Sequence, residues 1–156
     1  MEYTVNLKLK IAGSDIEGES SQTDNEREGT IECLQINCGV ATQRDSQHPT
    51  LSTGRTFNPV EILKRVDQSS PLLLKACTNN EKVEGAFLFF RPSPGGDSTS
   101  EHFYTIEISD ARIESVVQSS GTRVRAQETI RFVYSEIRWV YELTGAEAVD
   151  SISGEV

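Results

Sequence analysis

Cysteine, histidine, long apolar runs and positive charge are the scarce features of this chain. Of 156 residues, three are cysteine (Cys33, Cys38, Cys77) and two are histidine (His48, His102). The cysteine count is odd, and no CxxC or His-flanked spacing occurs. Neither a disulfide framework nor a zinc site is expected, and the thiols read as reduced residues in or near the core. No apolar stretch approaches the roughly 20 residues of a membrane helix. The N-terminal MEYTVNLKLKIAG lacks a signal-peptide apolar region and a small-residue cleavage site. The chain is therefore expected to be made in the cytoplasm and not to insert in membranes. A formal net charge of −9 leaves no basic stripe for nucleic acid.

Catalytic signatures are also missing. No P-loop, GxGxxG, HExxH, GxSxG or kinase motif appears. Pro94–Asp97 contains two glycines but opens no helix, so it is no phosphate cradle. The acidic segment Asp15–Glu28 holds six carboxylates against Arg27 alone. It lacks the DxDxDG pattern of a calcium loop and reads as a solvated loop. His48 lies near Asp45, but no third triad member has a recognisable local motif. No cofactor and no enzymatic role are expected, and the weight moves to binding or structural functions.

What is present is strand pattern. Val5, Leu7, Leu9 and Ile11 alternate with Thr4, Asn6, Lys8 and Lys10, as a half-buried strand requires. Gly13–Gly29 reads as a loop. Thr30–Thr42 reads as a second strand, bulged near Cys33–Leu34. Gln43–Arg55 follows no period and reads as a long loop, a length usually reserved for function or disorder. Thr56–Val66 is strand-like. Ser69-Ser70-Pro71 predicts a helix start, with serine as the cap and proline in the first turn. The helix ends at Asn79-Asn80, with Leu72, Leu73 and Ala76 as its buried face. Val83–Arg91, with apolar residues on both faces, reads as covered by a helix on one side and sheet on the other. Further strands cover His102–Ser109 and Ala111–Gln118.

The last and heaviest strand is Gln127–Leu143. Ile130, Phe132 and Tyr134 share one parity, whereas Ile137, Trp139 and Tyr141 share the other. The slip at Ser135–Glu136 predicts a β-bulge or sharp bend. Nine of the eleven aromatic residues lie between Phe87 and Tyr141, so the C-terminal half should supply most of the core. Gly145–Val156 reads as a frayed acidic tail. These elements predict a mainly β fold, a barrel or two-sheet antiparallel architecture with one short flanking helix. One domain over residues 1–145 and a flexible tail over 146–156 are expected.

Four ordered blocks carry a resemblance. They are Gly18-Glu19-Ser20, then Val66 through Cys77 (VDQSSPLLLKAC), then Gly95-Gly96-Asp97 through Tyr104–Ile108 and Ile113–Val116. The last is Gln127–Ile130 through Trp139–Glu142. With them the chain resembles the Hcp proteins, tube subunits of bacterial type VI secretion systems. The resemblance implies a fold like phage tail-tube proteins, a homohexameric ring, and rings stacked into a tube. It implies sheath, spike and effector proteins of the same system as partners, and export through that machine from the bacterial cytoplasm. It carries over no catalytic residue.

In that setting Arg44, Asp45, Gln47, His48, Thr50, Leu51 and Arg55 are the candidate ring or stacking interface. The polar residues of the last strand, Arg131, Ser135, Arg138 and Glu142, are candidates for a lumen or protomer interface. The competing readings are a monomeric β-barrel that binds a small molecule and a hydrolase using His48 or His102. If the Trp139 ring is buried, Trp139→Ala should cost about 3–5 kcal/mol in denaturant unfolding. A loss below about 1 kcal/mol would place the ring at the surface or an interface.

Overall fold

Strand pairing carries this chain around in a closed circuit. The computed structural model describes residues 3–44, 51–95 and 99–152. Its elements are β1 (Thr4–Ile11), β2 (Ser14–Ile16), β3 (Ile31–Arg44), β4 (Leu51–Arg65), α1 (Ser70–Thr78), β5 (Val83–Pro92), β6 (Ser100–Ser119), β7 (Gln127–Tyr141) and β8 (Ala146–Ser151). All pairings are antiparallel. The order β1-β3-β4-β7-β6-β5 returns to β1, while β2 and β8 attach as branches to β1 and β7. The alternation seen in β1 has its physical cause here. Leu7, Leu9 and Ile11 point into the barrel, where they are at most 6% exposed. Phe87 of β5 and Phe132 of β7 meet edge to face across that interior, 5.8 Å between ring centres.

The parity slip of β7 is a bend shared by two strands. Across it the β6–β7 ladder keeps its register, with Ser109 opposite Glu136 and Ala111 opposite Tyr134. Between them Asp110 of β6 has φ +48°, a left-handed conformation. Tyr134 and Ile137 are both buried, as are Ile108 and Ala111. Each strand therefore turns two consecutive residues outward at the same level, and the extra residue appears as a register shift of β6 against β5, between Ala111 opposite Val83 and Ile108 opposite Gly85. The other edge of β7 changes partner at this point. It pairs with β4 from Gln127 to Phe132 and with β8 from Glu136 to Tyr141.

Several expectations are corrected. Residues 146–151, expected in a frayed tail, form β8 because the C-terminal half of β7 has an edge left to pair. Gln43–Arg55 is not one long loop, since Arg44 pairs with Leu51 and the hairpin continues on both sides. The strands expected at His102–Ser109 and Ala111–Gln118 are one strand bent at Asp110. In α1, Leu73 and Ala76 are buried, but Leu72 is 44% exposed and Ser70 takes its place inside. Ser69 caps no helix N–H with its hydroxyl, which bonds Asp67 Oδ1 instead. Cys33 is buried as expected, and burial pushes its thiol up to about 12, which leaves it inert. Cys38 is exposed.

The acidic loop is not merely solvated, because it covers the outside of the barrel. Arg27 is 1% exposed, sits 4.3 Å over the Phe90 ring and donates to Thr4 Oγ1 at 2.9 Å. Its charge is met by Asp24. Asn6 on the same outer face donates to Ser20 and Thr30 hydroxyls. So the second face of β5 is covered by this loop, while α1 packs against β6. Gly18 is forced by the close approach: a Cβ there would lie 2.5 Å from the Thr30 carbonyl oxygen.

A second buried polar cluster holds α1. Lys64 Nζ donates to Glu128 Oε2 at 2.5 Å, to Asp67 Oδ1 at 3.0 Å and to the Arg65 carbonyl at 2.8 Å. Ser70 and Gln118 complete the Glu128 carboxylate. The Lys64 and Glu128 side chains are both 0% exposed. Removing one partner of such a pair strands the other charge, so Glu128→Ala should cost about 3–5 kcal/mol in urea unfolding. Replacing both, Lys64→Met with Glu128→Leu, should recover most of that loss. A double variant as unstable as the single one would contradict this account of the cluster.

Candidate assembly surfaces

Part of the β3–β4 hairpin leaves the barrel. β3 pairs with β1 only through Ile31–Cys33, and β4 pairs with β7 only through Val60–Arg65. Beyond these points Gly39–Arg44 and Leu51–Asn58 pair with each other alone. They form a two-stranded arm whose two outer edges pair with no other strand among the described residues. The outer edges of β8 and of the short β2 are also open among the described residues.

The arm is held at its base. Tyr134 Oη donates to the Asn58 carbonyl at 2.9 Å, and Phe57 stands edge to face against Tyr134 at 6.1 Å. Arg55 grips Asp150 of β8 through two nitrogens, at 2.8 and 2.9 Å, and donates to the Ser151 carbonyl. Arg55 therefore spends its guanidinium within the chain rather than offering it whole to a neighbour. Of the other arm candidates, Arg44 and Leu51 stand opposite each other at the end of the described ladder. Asp45, Gln47, His48 and Thr50 lie outside the described residues.

Between arm and barrel lies an apolar cleft of about 400 Å³, lined by residues that include Ile36, Val40, Phe89, Tyr104, Ile137 and Trp139. Trp139 is only half-buried there and packs against the edge of the core. The expected loss for Trp139→Ala thus falls below the full-burial range, because only part of the ring leaves water.

The four polar candidates on the last strand face away from the barrel interior or end it. Arg131 lies between Glu61 of β4 at 3.5 Å and Glu114 of β6 at 3.7 Å. Arg138 lies between Glu107 of β6 at 2.7 Å and Glu147 of β8 at 2.5 Å. Each arginine bridges both neighbouring strands, a pattern of cross-strand pairs that fixes the sheet surface. Ser135 accepts the Ile152 N–H through its carbonyl at 2.7 Å, and Glu142 accepts the Thr105 hydroxyl at 2.6 Å. The four are not brought into one cluster. They are spread along β7 on either side of its bend. Sequence reasoning missed Arg27, Lys64 and Glu128, whose partners are far away along the chain.

Enzymatic geometry is poor where it can be inspected. His102 Nε2 lies 2.6 Å from Thr105 Oγ1 and its ring stacks on Phe90. Thr105 is 4% exposed, so that hydroxyl is not open to a substrate. Among the described residues no group of three His, Cys, Asp or Glu could hold a metal ion. Among them too, no helix is long and apolar enough to cross a membrane.

Comparison with known proteins gives a consistent result. The family model described as "Type VI secretion system effector, Hcp" matches residues 8–141. A curated relative from Pseudomonas aeruginosa, "Major exported protein", is 32% identical over 123 residues, 74% of this chain and 70% of the relative. A mutant form of Hcp1 from E. coli EAEC 042 superposes with TM-score 0.84 at 23% identity, over 96% of this chain and 98% of that one. "Secreted protein Hcp3 from Pseudomonas aeruginosa" gives TM-score 0.79 at 22% identity, over 98% and 100%.

The Arg55–Asp150 contact makes a titration prediction. The Arg55 hydrogen bond holds the Asp150 carboxyl below its usual value. A depressed folded pKa means the tie is complete above the ordinary carboxylate value and lost as pH falls through the lower one. In an NMR titration the Asp150 midpoint should lie below about 3.9 and rise towards it in Arg55→Ala. An unchanged midpoint would mean the two side chains do not meet in solution.

Proposed function

Because the chain belongs to the Hcp family of type VI secretion system proteins, and is a subunit of that system's tube, we propose that six copies close into a ring. Rings then stack into the tube that is expelled with effector proteins. The observation that carries this reading is the set of open backbone edges on an otherwise closed barrel. Among the described residues the arm exposes both of its edges, and β8 and β2 expose one each. In a monomer such edges invite uncontrolled pairing. A closed ring of heterologous contacts gives each protomer the same neighbours on both sides and satisfies the surface without runaway growth.

The polar candidates find a role here. Arg131 and Arg138, each fixed between two carboxylates, keep the outer face of β7 hydrated and ordered. Such a face suits a wet surface of the assembly, and the residues of the arm suit contact with a neighbouring protomer or ring. Sheath, spike and effector proteins of the same system are the further partners this role requires. Synthesis in the cytoplasm and export through the machine itself fit the same role. The role is structural, without catalysis.

Electron microscopy of the purified protein tests the reading. Six-fold rings are expected, with gel filtration showing a species several-fold larger than the 17.3 kDa chain. A protein that elutes as a monomer at every concentration and shows no rings would overturn it, in favour of a monomeric binding barrel.

A further inference from the structure

The two turns at the ends of β7 carry opposite chemistry. Residues 120–126, between β6 and β7, hold Arg123, Val124 and Arg125 side by side, all exposed. Val124 is 59% exposed, and Val117 just before the turn is 63% exposed. Neither arginine has an ion-pair partner among the described residues. The turn is closed by reciprocal backbone hydrogen bonds between Gly121 and Val124, so its arginines project from a fixed frame. At the other end of β7, the turn into β8 exposes Glu142 and Leu143, the latter by 43%. It is fixed too, by Gly145 N–H on the Tyr141 carbonyl and Glu142 N–H on the Phe103 carbonyl.

We propose that these turns are complementary docking tips, with the Arg123-Val124-Arg125 tip of one copy of this chain seating on the Glu142-Leu143 tip of a second copy placed end to end. The inference rests on the tube reading above, in which copies stack along an axis. Three observations carry it. The tips lie at opposite ends of a 15-residue strand, roughly 45 Å along its path, so one chain cannot satisfy itself. Each tip pairs an exposed apolar side chain with charge, positive on one and negative on the other. And a chain of net charge −9 repels its own copies, so an unpaired basic tip is where a second copy can approach favourably. One such exposed contact is weak, but a ring repeats it at every protomer, and linked contacts multiply.

The test is a cross-link. In a Cys38→Ser background, a Val124→Cys/Leu143→Cys chain is oxidised at assembly concentration and run on a non-reducing gel. A ladder of multimers is expected, with no ladder from either cysteine change alone. Adding Arg123→Glu and Arg125→Glu should cut the cross-link yield about tenfold, and a further Glu142→Arg should restore it. No ladder, or a ladder indifferent to charge reversal, would overturn the proposal. Gel filtration of the same samples separates the two readings. Ring-sized protein without a ladder defeats the docking tips alone, and a monomer without a ladder defeats both.

Discussion

The pairing of β1 with β5 is the contact on which the rest depends. Without it the chain is a long twisted sheet with two open ends. With it, Thr4–Ile11 opposite Val83–Phe90 closes six strands into a barrel whose inward side chains share one dry interior. Closure also decides which edges remain. Both margins of β1 and of β7 are in use, and β7 divides one margin between β4 and β8. Among the described residues, the arm, β2, β8 and the end of β6 beyond Ala111 are left with backbone to offer. The fold therefore satisfies its own hydrogen bonding over most of its surface and confines what is unsatisfied to defined places, which is what a repeating subunit requires.

A small barrel has two faces to manage, and charged residues manage the outer one. Phe90 would be an exposed aromatic ring on the outside of β5, but Arg27 covers it from above and carries the loop with it. Lys64 and Glu128 do the equivalent for α1, whose first turn is fixed by Ser70 on the same carboxylate. Buried ion pairs of this kind are weak sources of net stability, because desolvation offsets their attraction. Their effect is to specify one position for a loop and one for a helix, where apolar contacts alone would allow sliding.

Much of this was legible in the sequence where one face of an element meets the core. The alternation of β1, the aromatic weight of β7 and the Ser-Ser-Pro helix start all follow from local pattern. The slip at Ser135–Glu136 was visible, but its nature was not, because the compensating residue is Asp110 on another strand. The Gln43–Arg55 segment shows no period in sequence, yet Arg44 pairs with Leu51 there. β8 (AEAVDS) reads as tail in sequence because small and acidic residues carry no strand signal. What makes it a strand is the vacant edge of β7. Arg27, Lys64 and Glu128 look like surface charge in any one-dimensional reading, since the Lys64–Glu128 pair spans 64 positions. The candidate interface was legible as composition, in the polar arm and in the alternating charges of β7, but not as geometry.

The chain belongs to the Hcp family, and the ring proposed for it gives the open strand edges of the fold a partner. Native mass spectrometry of the intact purified chain measures ring formation directly. A dominant species at six times the 17.3 kDa chain mass is expected, persisting on dilution further than a chance aggregate would. A spectrum dominated by the single chain, at concentrations where type VI tubes would assemble, would contradict it.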